Sequence, residues 1–588
     1  MPPFMQGSSL RGCYYCYYMN WNVLNTTQPQ RFDEIVKILL ENRGLKTQKQ
    51  LEEFLNPKRP FDFTARDLGL NSEEIGKAVK RIKQAIKNNE SIIVYGDYDA
   101  DGICATAILW ETLYKLTKNV LPYIPERVSE GYGLNKKSIE NCKLKIENLK
   151  LIITVDHGIT ANEKIKYAKK LGIDVIVCDH HQMGKSKPEC AAVVHTDKVC
   201  ATAITWFLAR RILSARDIET PRKILSDFLD LVGIATIADL EVLLGANRSF
   251  AKHGLEALRK TKRCGLQAIY KEAGIKPEQI GTYEVGYIIA PRLNAMGRME
   301  HALESLRLLC TKDPLRANSL AAKLGLTNRE RQLLTEETVK QAIEMSNVKC
   351  QMSKLIFIGH ESYEQGIIGL VAGKLVEEYH RPAVVLSRGE KYSKASARSI
   401  NGFNIIEAIR MHSDLLVDAG GHPMAAGFTI ETTKIESLKQ KLQEMAEKQI
   451  PSELLEKTLR IDLELLLEGV SLKLYEGIRQ MSPFGLGNPE PVFASRVIVK
   501  NFRAVGSEGK HLKLIVSSPP NTPNPPTGGP NLPNYPAIAF NLGYLAGKLK
   551  IDQEVQVAYS LSLNEWNGEK RLELKIRDFR WRDLKCPN

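Results

Sequence analysis

The chain has 588 residues, 43% of them hydrophobic and 26% charged, which fits a globular protein of two to four domains and excludes fibrous and disordered classes. Lys and Arg number 82 against 68 Asp and Glu, a formal net charge of +14 that suits a polyanionic partner, nucleic acid before a membrane surface. No run of about twenty apolar residues occurs, so neither a transmembrane helix nor a membrane partner is predicted.

The opening stretch, "MPPFMQGSSLRGCYYCYYMNWNVLN", lacks the apolar core of a signal peptide, and a cytoplasmic location is expected. Residues 1–25 are expected to be a disordered or mis-started extension, with Met19 an alternative start. Cys13 and Cys16 form a CxxC with no second pair at zinc-like spacing. Cys104, Cys178, Cys200 and Cys310 sit in apolar segments, as reduced core thiols do. Residues 26–90 read as helical and charged, ending in "GKAVKRIKQAIKNN".

From 91 to 312, the apolar runs "SIIVYGD", "NVLPYIP", "KLIITVDHG" and "DVIVCDHH" alternate with helical patterns. That alternation predicts βαβ units around a parallel sheet. Residues 313–350 predict one long connecting helix. A second α/β pattern fills 351–450, with "KLIFIGH", "PAVVLS" and "DAGGHPMAAGF". Residues 451–588 read as a helical link followed by five or so alternating strands, the pattern of a small OB-fold-like β-barrel. The Pro/Asn/Gly-rich stretch 517–536 cannot build a core and is expected to be a disordered loop insertion.

Four segments carry the chemistry: "GDYDADG" (Asp97, Asp99, Asp101), "ITVDHGIT" (Asp156, His157), "VCDHHQ" (Asp179, His180, His181) and "TIADLEVL" (Asp239). A lone Asp after a strand ordinarily caps a helix or shapes a turn. Three at alternate positions share one face of an extended chain, and open α/β sheets build their sites beyond the strands' carboxyl ends. Packed carboxylates raise each other's pKa, so such a cluster needs a cation to hold it ionised. Hard oxygens with imidazole suit Mn2+ or Mg2+, and no thiolate cluster favours zinc. Two such ions about 4 Å apart generate hydroxide at neutral pH and clamp an in-line phosphoryl displacement.

Elsewhere, Gly420, Gly421 and His422 predict a turn whose backbone N–H groups approach phosphate oxygens, with His422 placed to hydrogen-bond the phosphate. Arg127 follows "YIPE", Arg292 and Arg298 lie in "PRLNAMGR", and Ser396 and Arg398 lie in "ASARS". Guanidinium forks match phosphate geometry. Phe502, Phe540, Trp566 and Trp581 are candidate stacking surfaces for single strands in the barrel.

"DYDADG", "VDHG", "DHH" and the Asp of "IADL", in this order, resemble the DHH phosphoesterase superfamily. "FLNPKRPFDF", "YIPERVSEGYGLN", "APRLNAMGRM", "KASARSINGFNI", "DAGGHPMAAGF" and "PFGLGNPEPVF" narrow the resemblance to the RecJ single-stranded-DNA exonucleases, from about Leu51 to the C-terminus. The resemblance implies two α/β domains (a DHH domain and a DHH-associated domain) joined by a long helix, plus the barrel. It implies two divalent ions, Mn2+ or Mg2+, with Asp99, Asp101, Asp156, His180 and Asp239 as ligands, Asp156 and Asp239 being candidates to reach both ions. Asp97 and His181 are each a ligand, an orienting partner or a substrate contact. The implied catalytic residues are Asp156, His180, His181 and His422.

By the same resemblance, Arg127, Ser396 and Arg398 grip a terminal 5′-phosphate, Arg292 contacts the strand, and Arg298, Gly420, Gly421 and His422 line the substrate path. The implied activity is 5′→3′ hydrolysis of single-stranded DNA to 5′-mononucleotides in recombination and repair, by a monomer working with a helicase and a single-strand-binding protein. The chain departs from the family pattern in a shortened loop after "VVH" at 193–195 and in Glu364, where a His is usual. The competing readings are a DHH phosphoesterase for short oligonucleotides or cyclic dinucleotides, and a non-catalytic nucleic-acid-binding scaffold. The first would resemble only the two-domain core, and the second would have lost motif acids that are all present here.

Overall fold

The structure is a computed structural model that describes residues 19–29, 31–127, 129–184, 186–214, 221–345, 353–520, 534–566 and 569–581. Cys13 and Cys16, the end of the connector and most of the Pro-rich insertion lie outside the described residues. The chain folds as two units. One comprises Thr47–Pro451 with Met481–Pro489; the other joins the chain up to Lys46 to Ser452–Gln480 and to the segment from Glu490 onward.

The first unit holds a five-stranded parallel sheet in the order Val120–Tyr123, Ser91–Tyr95, Leu149–Val155, Asp174–Asp179, Ala192–His195. Its strands are near-continuous apolar runs because both faces are covered. Ile92 and Val94 face one core cluster, and Ile93 and Tyr95 face the other. The chain leaves Ser91–Tyr95 to one side and later returns to its other side with Leu149–Val155. The crevice between these two carboxyl ends is therefore a topological switch point, where open α/β sheets bind ligands. Helix Ala100–Tyr114 starts there, and Gly102 permits it: a Cβ would lie 2.7 Å from the Asp97 backbone nitrogen.

Helix Leu229–Ala238 is apolar apart from Asp230 and Thr236 and is buried from Leu229 to Ile237, as such a composition requires. A 32-residue helix, Pro314–Met345, runs into the second domain. That domain's sheet has the order Leu416–His422, Ala425–Glu431, Tyr392–Arg398, Ala383–Ser387, Ile356–His360, antiparallel except for the last pair. Here the expected turn at Gly420, Gly421 and His422 is corrected. These residues end a strand, opposite Gly427, Ala426 and Ala425, and the connection falls on Pro423 and Met424. Pro423 has no N–H to give the ladder, so pairing stops before it. Gly421 has φ +141°, and a Cβ there would sit 2.3 Å from the Ala425 carbonyl oxygen.

In the other unit, Phe493–Val505, His511–Ser517, Asn534–Ala539, Glu569–Arg580 and Glu554–Trp566 pair in that order, and the last closes on the first. The OB-fold-like barrel is borne out. Phe540 is half exposed, Phe502 and Trp581 are partly buried, and the side chain of Trp566 lies outside the described residues. Among the described residues, no helix is long and apolar enough to cross a membrane, and Cys104, Cys142, Cys178 and Cys200 are buried free thiols.

Strand Asn20–Val23 pairs in parallel with Thr458–Ile461. Trp21 Nε1 donates to Asp578 Oδ2 at 2.8 Å, under the Arg580 guanidinium. The Arg43 guanidinium lies 3.3 Å from Asp462, with side chains 1% and 2% exposed, and Asp462 also accepts from Val492 N. Removing one partner of a buried pair strands the other charge. Asp462→Ala is therefore expected to lower the stability of this unit by about 3–5 kcal/mol. Urea unfolding followed by tryptophan fluorescence measures it; a loss below about 1 kcal/mol would mean that Arg43 finds water instead.

Candidate metal centre

Each acidic or histidine side chain arrives at the switch point on its own strand or helix end. Asp97 follows strand Ser91–Tyr95 and is 4% exposed, with Oδ1 lacking any hydrogen-bond partner. Asp99 is the N-cap of helix Ala100–Tyr114, its Oδ1 accepting from Asp101 N and Gly102 N at 3.0 Å each. Asp101 is fixed by the start of helix Ala201–Ser214: its two oxygens accept from Ala201 N and Thr202 N, each at 2.8 Å. Asp156 follows strand Leu149–Val155 in the left-handed region, φ +68°, a strained conformation for a non-glycine residue. Asp239 caps the carboxyl end of helix Leu229–Ala238.

His180 gathers these groups. Its Nε2 lies 3.3 Å from Asp156 Oδ1, 3.6 Å from Asp239 Oδ2 and 3.9 Å from Asp101 Oδ2. The Asp156 approach is not aligned as a hydrogen bond, and that buried oxygen has no other partner. Three groups of possible ligand atoms lie within 4.8 Å of one another: Asp97, Asp99 and Asp156; Asp101, His180 and Asp239; Asp156, His180 and His181. Among the carboxylates, Asp156 belongs to two of these groups and Asp239 to one. Asp97 takes part as fully as Asp99.

Electrostatics test the fit of a metal. Burial and then the charge of Asp99 push the Asp97 carboxyl well above the usual range. Burial, Asp101 and Asp99 do the same to Asp156. Burial and Asp101 raise Asp239 to about 8. Burial opposes the charged form of His180, yet Asp156, Glu241 and Asp101 push it up to about 12. Orphaned carboxylate oxygens, imidazole and a negative field without thiolate fit hard divalent ions.

Asp179 has a different task. Its Oδ1 accepts from His180 N, His181 N and His181 Nδ1, and its Oδ2 from Ile159 N. Burial works against its charge, but His181 and these N–H groups hold the carboxyl well below its usual range. It therefore orients the histidine pair. His181 Nδ1 is engaged with Asp179 at 2.8 Å, leaving Nε2 toward the Tyr132 hydroxyl at 3.4 Å. His157 is 2% exposed, with Nε2 3.1 Å from the Tyr95 carbonyl oxygen, and burial lowers it to about 4. His422, from the second domain, stacks on His181 with ring centroids 5.9 Å apart. Burial and both neighbouring imidazoles lower its pKa.

Beside the acids lies a cationic group. Arg127 stacks on Tyr98, the residue between Asp97 and Asp99, at 3.9 Å and donates to the Gly297 carbonyl. Arg398 lies 3.3 Å from Ser396 Oγ, near the start of helix Ile368–Tyr379. Arg298 donates to the Gly366 carbonyl at 3.2 Å. Burial, Arg127, Arg331 and Arg398 depress Arg298 to about 10, which marks the four guanidinium groups as neighbours. The structure does not bring Arg292 into this group: its Nε pairs with Glu272 at 2.7 Å and its Nη1 donates to the Ile288 carbonyl. Glu364 is exposed in the turn before helix Ile368–Tyr379.

Sequence reasoning did not single out Asp179 as an organiser, nor Tyr132, Glu241 or Arg331. For Glu241 a signal existed, its spacing of two from Asp239; Arg331 lies unmarked in a long charged helix.

The DHH family, N-terminal domain model matches residues 91–236, the DHHA1 domain model 347–448 and the RecJ OB domain model 461–578. The chain is 34% identical over 573 residues to the single-stranded-DNA-specific exonuclease RecJ of Bacillus subtilis, covering 95% of this chain and 69% of that protein. It is 29% identical to the Salmonella typhimurium exonuclease of that name, covering 94% and 96%. The crystal structure of RecJ in complex with Mn2+ from Thermus thermophilus superposes with a TM-score of 0.78 at 27% identity, over 96% of this chain and 80% of that one.

Without metal, the raised carboxyls hold protons that a divalent ion must displace. Mn2+ affinity is therefore expected to rise with pH through and beyond about 8, the value to which Asp239 is pushed, because His180 must also give up a proton, with protons released on binding. Calorimetry in buffers of differing ionisation enthalpy measures both; a flat pH profile without proton release would contradict it.

Proposed function

Because the chain belongs to the RecJ family of single-stranded-DNA-specific exonucleases, we propose that it cleaves nucleotides from the 5′ end of single-stranded DNA with two divalent ions, Mn2+ or Mg2+. Asp97, Asp99 and Asp156 would hold one ion and Asp101, His180 and Asp239 the other, with Asp156 beside both. Such ions supply a hydroxide at neutral pH and neutralise the charge of an in-line phosphoryl displacement.

The chain's own residues do the rest. Asp179 holds His181 by its Nδ1 and so directs Nε2 toward the cleft side shared with Tyr132 and His422. His422 stays largely neutral beside two other imidazoles and offers an N–H to a non-bridging phosphate oxygen. Arg127, Arg298, Ser396 and Arg398, with Arg331, receive the terminal 5′-phosphate. The observation that carries this reading is the contact of Arg127 with Tyr98. It supports a phosphate grip one residue from Asp97 and Asp99, from which a bound 5′ end would present the first phosphodiester to the acids. That spacing supports 5′→3′ polarity and mononucleotide products. The proposal extends to work in the cytoplasm, as a monomer, beside a helicase and a single-strand-binding protein in recombination and repair, as the net positive charge and free thiols suit.

The test is a 3′-labelled single-stranded oligonucleotide with Mn2+, run beside its duplex and a cyclic dinucleotide. Progressive shortening from the 5′ end of the single strand alone is expected, and turnover of the cyclic dinucleotide instead would favour a small-substrate phosphoesterase. Asp156→Ala is expected to lower kcat by more than the roughly 10–100-fold that losing a ligand's outer partner costs. Arg398→Ala is expected to raise KM roughly 10- to 100-fold for a 5′-phosphorylated strand, the worth of a charge-assisted hydrogen bond, and to spare a 5′-hydroxyl strand. Equal losses on both strands would remove Arg398 from the terminal phosphate.

A further inference from the structure

Helix Leu229–Ala238 ends in a left-handed cap that breaks two local preferences. Leu240 N donates to the Ile237 carbonyl at 3.3 Å and Glu241 N to the Thr236 carbonyl at 3.2 Å, with Leu240 at φ +57°. This hydrogen-bond pattern ordinarily takes glycine at the left-handed position and an apolar residue after it, packed back on the last turn. Here the left-handed residue is a leucine, 73% exposed, and the residue after it is a glutamate whose side chain is 14% exposed. A leucine in this region is strained, and an inward carboxylate is costly unless it has a partner. Departures from local rules of this kind concentrate at functional sites.

The partner is His180. Asp239 and Glu241 lie on either side of the cap residue and reach opposite nitrogens of one imidazole. Asp239 Oδ2 is 3.6 Å from Nε2, and Glu241 Oε1 is 3.7 Å from Nδ1. Glu241 is itself braced, because its Oε2 accepts from Asn247 Nδ2 at 3.0 Å and that amide also donates to the Lys198 carbonyl. Asn247 is 6% exposed. His180 is anchored independently by its own N–H to Asp179. A shift of roughly 0.5–1 Å would bring Glu241 to hydrogen-bond distance of Nδ1.

We propose that Glu241 is a positioning residue: it accepts a hydrogen bond from His180 Nδ1–H and so presents Nε2, beside Asp101, Asp156 and Asp239, as the atom that binds a divalent ion. This rests on the reading of Asp101, His180 and Asp239 as metal ligands. A ligating histidine whose far N–H meets a carboxylate is fixed in tautomer and orientation, and losing that partner costs metal affinity. One helix end thus supplies both a candidate ligand and the brace of its neighbour.

The test compares the full-length protein with Glu241→Leu and Glu241→Gln, reading Mn2+ affinity by calorimetry at one pH. Glu241→Leu is expected to weaken the tighter Mn2+ binding roughly 10–100-fold, and Glu241→Gln, which keeps an acceptor, to recover most of it. If Glu241 only ties down the loop through Asn247, both variants bind Mn2+ within about twofold of the parent, and the inference falls. Should Glu241→Leu fail to fold, histidine-selective 15N spectra of the Mg2+-loaded parent decide. His180 protonated at Nδ1 is expected, and protonation at Nε2 overturns the proposal. A parent protein that binds no Mn2+ would overturn the metal assignment itself; a parent that binds while the variants match it overturns only the role of Glu241.

Discussion

The site turns on the cost of gathering like charges away from water. Asp97, Asp101 and Asp156 are each 4% exposed or less, and one imidazole nitrogen faces three carboxylates within 3.9 Å. Neither burial nor mutual repulsion is relieved by the usual means, since among the described residues no lysine or arginine pairs with any of the three carboxylates that face His180 Nε2. The fold instead holds each acid by backbone: N–H groups of helix Ala100–Tyr114 fix Asp99, those of helix Ala201–Ser214 fix Asp101, and a strained φ fixes Asp156. Such rigid anchoring keeps the carboxylates from swinging out to solvent and leaves the deficit of positive charge to be met by cations.

A second field lies alongside with the opposite sign. Arg298 is depressed by burial first and then by three other guanidinium groups, so this cluster is short of negative charge as the acid cluster is short of positive. Tyr98 separates the two, with Arg127 on its face and carboxylates at both of its chain neighbours. A phosphodiester strand would suit both fields at once in the proposed function, its terminal phosphate meeting the arginines and its next phosphate the acid cluster and the ions that cluster would hold. The two α/β domains contribute different parts of these fields. Arg398, Ser396 and His422 come from the second, and the carboxylates come from the first.

Much of this was legible in the sequence because chemistry and fold wrote the same signals. The alternating aspartates of "GDYDADG" and the apolar runs before "VDHG" and "DHH" mark strand ends, and strand ends are where this sheet builds its site. Asp97 was harder to rank, since whether a buried oxygen lacks a partner depends on its surroundings rather than its neighbours in sequence. The glycines at 420 and 421 suggested a turn, but pairing with Gly427 and Ala426 drew them into a strand; cross-strand register has no local trace. Arg292 and Arg298 read alike in "PRLNAMGR", yet Glu272 on another helix claims the first. The parallel pairing of Asn20–Val23 with Thr458–Ile461 was also invisible, because both strands are four residues long and far apart.

That pairing bears on the order in which the molecule can be made. Trp21 leaves the ribosome more than five hundred residues before Asp578 and Arg580, the residues that shelter it. The unit built around Thr47–Pro451 takes only Met481–Pro489 from the later chain, so most of it is available to fold while the remainder is still being translated. The other unit is not, because its first strand must wait for a partner near the opposite end of the chain. Closing so long a loop is slow, although the added entropy grows only with the logarithm of its length. Strand Asn20–Val23 is thus among the last elements to find its place, and through that interval Trp21 and Val23 are exposed to whatever else the cell offers.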